Sequence, residues 1–98
     1  MSVYMIATYD IEDPAAHETY AMAADPVLEK HGGKILIADD KSKPIEGSGG
    51  QVSVVIEFPS ESSVMNFYND PTYQSLKEIR LASTTNSCVV LAAPYAPL

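Results

Sequence analysis

Glu57 and Arg80 are the two side chains with the widest chemical reach in this sequence. Glu57 sits in Val54-Val55-Ile56-Glu57-Phe58-Pro59-Ser60, where an apolar setting would raise its pKa toward the range useful to an acid or base. Arg80 is the only arginine. Its fork can hold a carboxylate through two parallel hydrogen bonds. The two could equally pair with one another, a structural use that perturbs carboxylates as strongly as catalysis does. Tyr20, Tyr68 and Tyr73 can donate hydrogen bonds into a pocket, while aromatics at helical spacing mostly pack a core. His31 closes a helical stretch, where the helix dipole favours a cation. His17 stands alone in the same helix, as structural histidines commonly do. No His, Cys and carboxylate grouping has metal-ligand spacing, so no metal is expected.

These side chains must be carried by strands and helices. Val3 to Tyr9 is a run of β-branched and aromatic residues, predicting a first strand. Asp13-Pro14 then predicts a helix start, an N-cap followed by proline where its missing N–H costs nothing. Tyr20, Ala23, Ala24, Val27 and Leu28 make the buried stripe. Pro26 crowds the carbonyl of Met22, so a kink or a new turn is expected there. Gly32 supplies a left-handed stop.

Gly33 to Ala38 predicts the second strand, and a polar loop over 39–51 contains Glu46. The third strand runs from Val52 to Phe58 and ends at Pro59. Ser60 caps a short helix, better read so than as a nucleophile because no glycine elbow surrounds it. Asp70-Pro71 repeats the cap-plus-proline signal and starts another helical piece. Cys88 to Ala93 predicts the fourth strand, with Cys88 as a small hydrophobe, and residues 94–98 form a tail.

The order β-α-β-β-α-β is the split βαβ arrangement of an α+β, ferredoxin-like domain. Its four-stranded antiparallel sheet carries the helices on one face. The other face should be polar in a lone chain. Instead Val89, Leu91 and Ala93 alternate with Cys88, Val90 and Ala92, and both faces are apolar. With 98 residues the chain has room for one domain, 1–98, and no second layer. A second copy packed face to face supplies that layer, so a homodimer is expected.

Composition removes other classes. Six basic residues stand against 13 acidic ones, a net charge of -7, so the cationic footprint of a nucleic-acid binder is missing. Anionic membranes are disfavoured on the same ground, and no apolar run is long enough to span a bilayer. Met1-Ser2-Val3-Tyr4 lacks a basic region leading an apolar core, so no signal peptide is expected. One cysteine suits a reducing cytoplasm, the expected location.

Asp13-Pro14, Tyr20, Pro26, Gly32-Gly33, Glu46-Gly47, Glu57-Phe58-Pro59-Ser60, Tyr68, Pro71-Thr72-Tyr73 and Arg80 together resemble a widespread bacterial family. It is known as a domain of unknown function, numbered thirteen-thirty, in the dimeric α/β-barrel superfamily. That superfamily includes cofactor-free monooxygenases, haem-degrading enzymes and muconolactone isomerase. The resemblance implies a fold and a small-molecule pocket between sheet and helices, and leaves the reaction open. Glu57 and Arg80 would be its catalytic pair, with Tyr68, Tyr73, Tyr20, Glu46 and His31 contacting the ligand. No cofactor is expected; the chemistry, if any, would be proton transfer or oxygenation of a small carbonyl or phenolic compound. The alternative is a non-catalytic binding or structural dimer. Two departures stand out: His17 replaces a usual aromatic, and Ser48-Gly49-Gly50 replaces a usual tryptophan.

Overall fold

A computed structural model describes residues 2–96, so Pro97 and Leu98 of the expected tail lie outside the described residues. The chain runs β1 (Val3–Ile11), α1 (Pro14–Lys30), β2 (Lys34–Asp39), β3 (Val52–Phe58), α2 (Glu61–Tyr68), α3 (Pro71–Ser83) and β4 (Thr84–Ala92). The strands form one four-stranded sheet in the order β2-β3-β1-β4 with every neighbour antiparallel. This is the ferredoxin-like α+β architecture.

Local chemistry sets the element starts. The Asp13 carboxylate accepts from the Ala16 N–H at 3.2 Å, Ser60 Oγ from Ser63 N–H at 3.1 Å, and Asp70 from Thr72 N–H at 2.9 Å. Each cap satisfies an N–H that the first helical turn leaves without a partner. Gly32, at φ 79°, closes α1. A Cβ on Gly33 would stand 3.1 Å from both the Phe58 ring and the Leu28 side chain, so these core side chains would have to give by a few tenths of an ångström.

α1 runs unbroken through Pro26, correcting the expected new turn. The neighbouring Val27 and Leu28 are buried in the core, while Met22, whose carbonyl loses its donor, is exposed to water. Tertiary packing therefore outweighs the local penalty. Ala23 of the expected buried stripe is exposed. β4 begins at Thr84, earlier than the expected Cys88. Its register against β1 shifts between Thr8 and Asp10, and Asn86 adopts φ 54° there. Asparagine tolerates this left-handed backbone, and its Nδ2 donates to Asp10 Oδ2 at 3.0 Å.

The sheet has two faces. Met5 pairs with Ile56, Ala7 with Val54 and Tyr9 with Val52, and this side meets the helices. Phe58, Phe67 and Tyr73 join Val27, Leu28 and Val64 in the main cluster. On the other side Tyr4, Ile6 and Thr8 pair with Glu57, Val55 and Ser53. No described helix covers that side.

Candidate functional site

A cavity of about 350 Å³ lies between the sheet and the helices. Its walls are mostly apolar: Met5, Ala7, Ala24, Leu28, Val54 and Ile56 all border it. The exposed Asp39 and Asp40, where β2 passes into its loop, border its solvent end.

β1, α1 and α3 bring polar groups to the inner wall of this cavity. Near the end of β1 the Tyr9 side chain faces the helices, and α1 begins a few residues later. His17, one turn into α1, therefore meets the phenol: Tyr9 OH and His17 Nε2 are 2.6 Å apart. Tyr20 follows His17 at helical spacing on the same face. Its hydroxyl lies 2.8 Å from that of Tyr73 on α3. Arg80 stands two turns beyond Tyr73, on the same side of α3, and is 4% exposed. Its Nη1 donates to Ser87 Oγ at 2.7 Å, just after the Asn86 irregularity in β4.

Burial lowers the His17 pKa from its ordinary 6.5; Asp40 pulls it up and Arg80 pushes it further down. At neutral pH the imidazole is uncharged and can accept a proton. Burial raises the Tyr9 pKa, an effect Arg80 partly offsets and Tyr73 reinforces. Tyr20 is raised strongly, first by burial and then by Tyr73. Burial opposes the charge on Arg80, but the oxygens of Tyr73 and Tyr20 outweigh it and the guanidinium stays charged. The arrangement thus combines a neutral base, protonated phenols and a cation within an apolar enclosure. It can bind an anionic oxygen and move a proton beside it.

Of the residues expected from sequence, the structure gathers Arg80, Tyr20 and Tyr73 at this cavity. Glu57 is elsewhere. It faces away from the helices, where Tyr4 O–H points to its Oε2 at a long 3.4 Å. No ion pair joins it to Arg80 among the described residues. Period-two alternation is the reason: Ile56 and Phe58 face the helices, so Glu57 cannot. Glu46 is exposed in the loop between β2 and β3.

His31 and Tyr68 serve other contacts. His31 Nε2 donates to Asp70 Oδ2 at 2.8 Å, and Lys30 Nζ donates to the same oxygen at 3.2 Å, tying the end of α1 to the start of α3. Tyr68 lies under the Lys77 ammonium, 4.8 Å from its ring centre, beside a small groove with Met65 and Leu91. Tyr9 and His17 are polar cavity residues that sequence reasoning did not place in a site. The signal for both was present: Tyr9 shares the face of Met5 and Ala7, and His17 shares that of Tyr20.

Solved structures resemble this fold. One is a protein of unknown function from Rhodopseudomonas palustris, at TM-score 0.82 and 20% identity over 98% of this chain and 84% of that one. Another is a dimeric ferredoxin-like protein of unknown function from Jannaschia sp., at 0.71 and 14% over 96% and 100%. A cofactor-independent oxygenase from Streptomyces nogalater aligns at 0.74 and 11% over 99% and 96%. At such identities the likeness is one of fold alone. No curated protein matches the chain. No helix among the described residues is long and apolar enough to cross a membrane. The family model for the domain of unknown function DUF1330 matches residues 2–94, and the chain belongs to that family.

Proposed function

We propose that this protein is a homodimer that binds a small molecule in the cavity between its sheet and helices. The observation that carries the binding reading is Arg80: a guanidinium 4% exposed that borders the cavity with no carboxylate partner among the described residues. A purely structural arginine at that depth would be paired. The Tyr9–His17 contact favours a catalytic version of the same reading. There His17 takes a proton from a bound carbonyl or phenolic compound while Arg80 steadies the resulting oxyanion, with no cofactor.

The open sheet face supports the dimer. Ile37 and Val90 are 50% and 46% exposed there, on the side of Ile6 and Val55. A contiguous apolar face of this kind is uncommon on a monomer. The dimeric ferredoxin-like relative from Jannaschia sp. supports a second copy as its cover. Glu57, on this face, then serves the dimer and not the cavity. The lone Cys88 fits a reducing cytoplasm.

Two measurements test these readings. Light scattering should return about twice the 10.6 kDa chain mass, with Cys88 alkylated slowly until denaturant is added; a monomer at micromolar concentration removes the dimer. Thermal-shift screening with small acids, phenols and carbonyl compounds should raise the melting temperature of the wild type. Ala21→Phe, which blocks the cavity from an exposed helix position, should abolish that rise. An unchanged response in the variant would place binding elsewhere.

A further inference from the structure

We propose that the cavity takes a small organic monoanion, an apolar body ending in a single carboxylate, with Arg80 as its anchor; this rests on the binding reading above. The argument is one of an unmatched charge. A guanidinium has five N–H groups in a planar fork; among the described residues the Arg80 fork meets Ser87 Oγ at 2.7 Å and the Tyr73 and Tyr20 oxygens, all of them neutral, and no carboxylate. The Tyr20 and Tyr73 hydroxyls share one proton between their oxygens at 2.8 Å, and the second phenolic proton has no acceptor among the described residues. Both phenols border the cavity beside Arg80. The enclosure therefore offers positive charge and spare donors at one place, and the group that satisfies both is an oxygen anion.

A planar carboxylate matches the fork with two parallel hydrogen bonds. Taking Arg80 out of water has already occurred in the empty protein, so an arriving carboxylate removes an existing electrostatic penalty. The walls choose the remainder of the ligand. Ala7, Ala24 and Val54 are small and apolar, leaving room for a ring or short chain without polar substituents. The rim chooses the charge. Asp39 and Asp40 border the open end, and a second negative group held there would be repelled. A dicarboxylate or a phosphate ester is thus a poorer fit than a monocarboxylate.

Titration calorimetry with phenylacetate and hexanoate, set against phenylacetamide and hexanamide, tests this directly. The acids should bind at least about tenfold more tightly than the amides, as expected for a hydrogen-bonded charge. Arg80→Met should lose that preference while melting at a higher temperature than the empty wild type, because it removes an unpaired buried charge. Arg80→Lys keeps the charge and loses the fork; it should keep the preference at reduced affinity, and it decides the matter if Arg80→Met does not fold. Equal binding of acids and amides, or undiminished acid binding by Arg80→Met, overturns the monoanion while leaving a small-molecule cavity in place. If no acid or amide binds and Arg80→Met is destabilised, Arg80 is a structural strut, and both readings fall.

Discussion

Glu57 and Arg80 stand on opposite sides of the sheet. Glu57 projects from β3 toward the open face, level with Tyr4. Arg80 is buried on α3 at the cavity on the helix side. Any chemistry that required both at one ligand is therefore ruled out by a strand's alternation, and substitutions at the two positions should have unrelated effects.

Glu57→Gln is expected to leave ligand binding in the cavity unchanged. Its one side-chain hydrogen bond among the described residues, with Tyr4, is long at 3.4 Å, so stability should move by no more than about 0.5 kcal/mol. Thermal melting and calorimetry check both points. Weakening of the proposed dimer, read by light scattering, is the effect compatible with its position.

His17 should titrate below 6.5 when followed by NMR of its ring. Two substitutions should move it in opposite directions: Arg80→Met upward, by removing a cation, and Asp40→Asn downward, by removing an anion. Because the folded pKa lies below the unfolded one, the unfolded chain binds more protons in the window between them. The His17 contribution to stability is complete above 6.5 and is lost as pH falls through the folded value. His17→Gln should flatten that slope in denaturant melts.

The Tyr20–Tyr73 hydrogen bond, at 2.8 Å between α1 and α3, is suited to a double-mutant cycle. Phenylalanine at either position removes the bond and leaves the ring packing. The cycle should give a coupling of about 1 kcal/mol, with each single variant melting several degrees lower. Additive losses would mean that the two hydroxyls act independently.

Asp70 should dominate acid sensitivity. His31 first, then the Thr72 N–H and Lys30, hold its carboxyl well below the ordinary 3.8. Its folded pKa is depressed, so its stabilising effect is full above 3.8 and disappears as pH falls through the folded value. Asp70→Asn retains a capping oxygen and loses the charge, so its melting temperature should depend less on pH in that acid window. Asp70→Ala loses the cap as well and should melt lowest at neutral pH.

Much of the fold is legible in the sequence because its signals are local. Asp13, Ser60 and Asp70 announce helix starts through side chains that bond within the next turn. β3 is readable from alternation between two solvent signals. Pro26 misleads because the burial of Val27 and Leu28, a tertiary fact, keeps the helix going. Thr84 to Ser87 are polar and include a left-handed Asn86, so the start of β4 carries no apolar pattern. The site is less legible. Arg80, Tyr20 and Tyr73 could be singled out by residue type and helical spacing, whereas the Tyr9–His17 contact depends on how β1 turns into α1. For Glu57 the alternation was visible in sequence, and the helix-covered face of Ile56 and Phe58 excludes it from the cavity.

The two faces of β3 have a practical consequence for how the protein can change. Val52, Val54 and Ile56 border the enclosed space, while Ser53, Val55 and Glu57 belong to the uncovered side. One strand thus carries two interleaved alphabets, and even and odd positions can be varied as separate libraries. Under the proposed function, point substitutions at even positions would retune what fits inside without altering the proposed dimer contact. A one-residue insertion would exchange the alphabets and disable both at once.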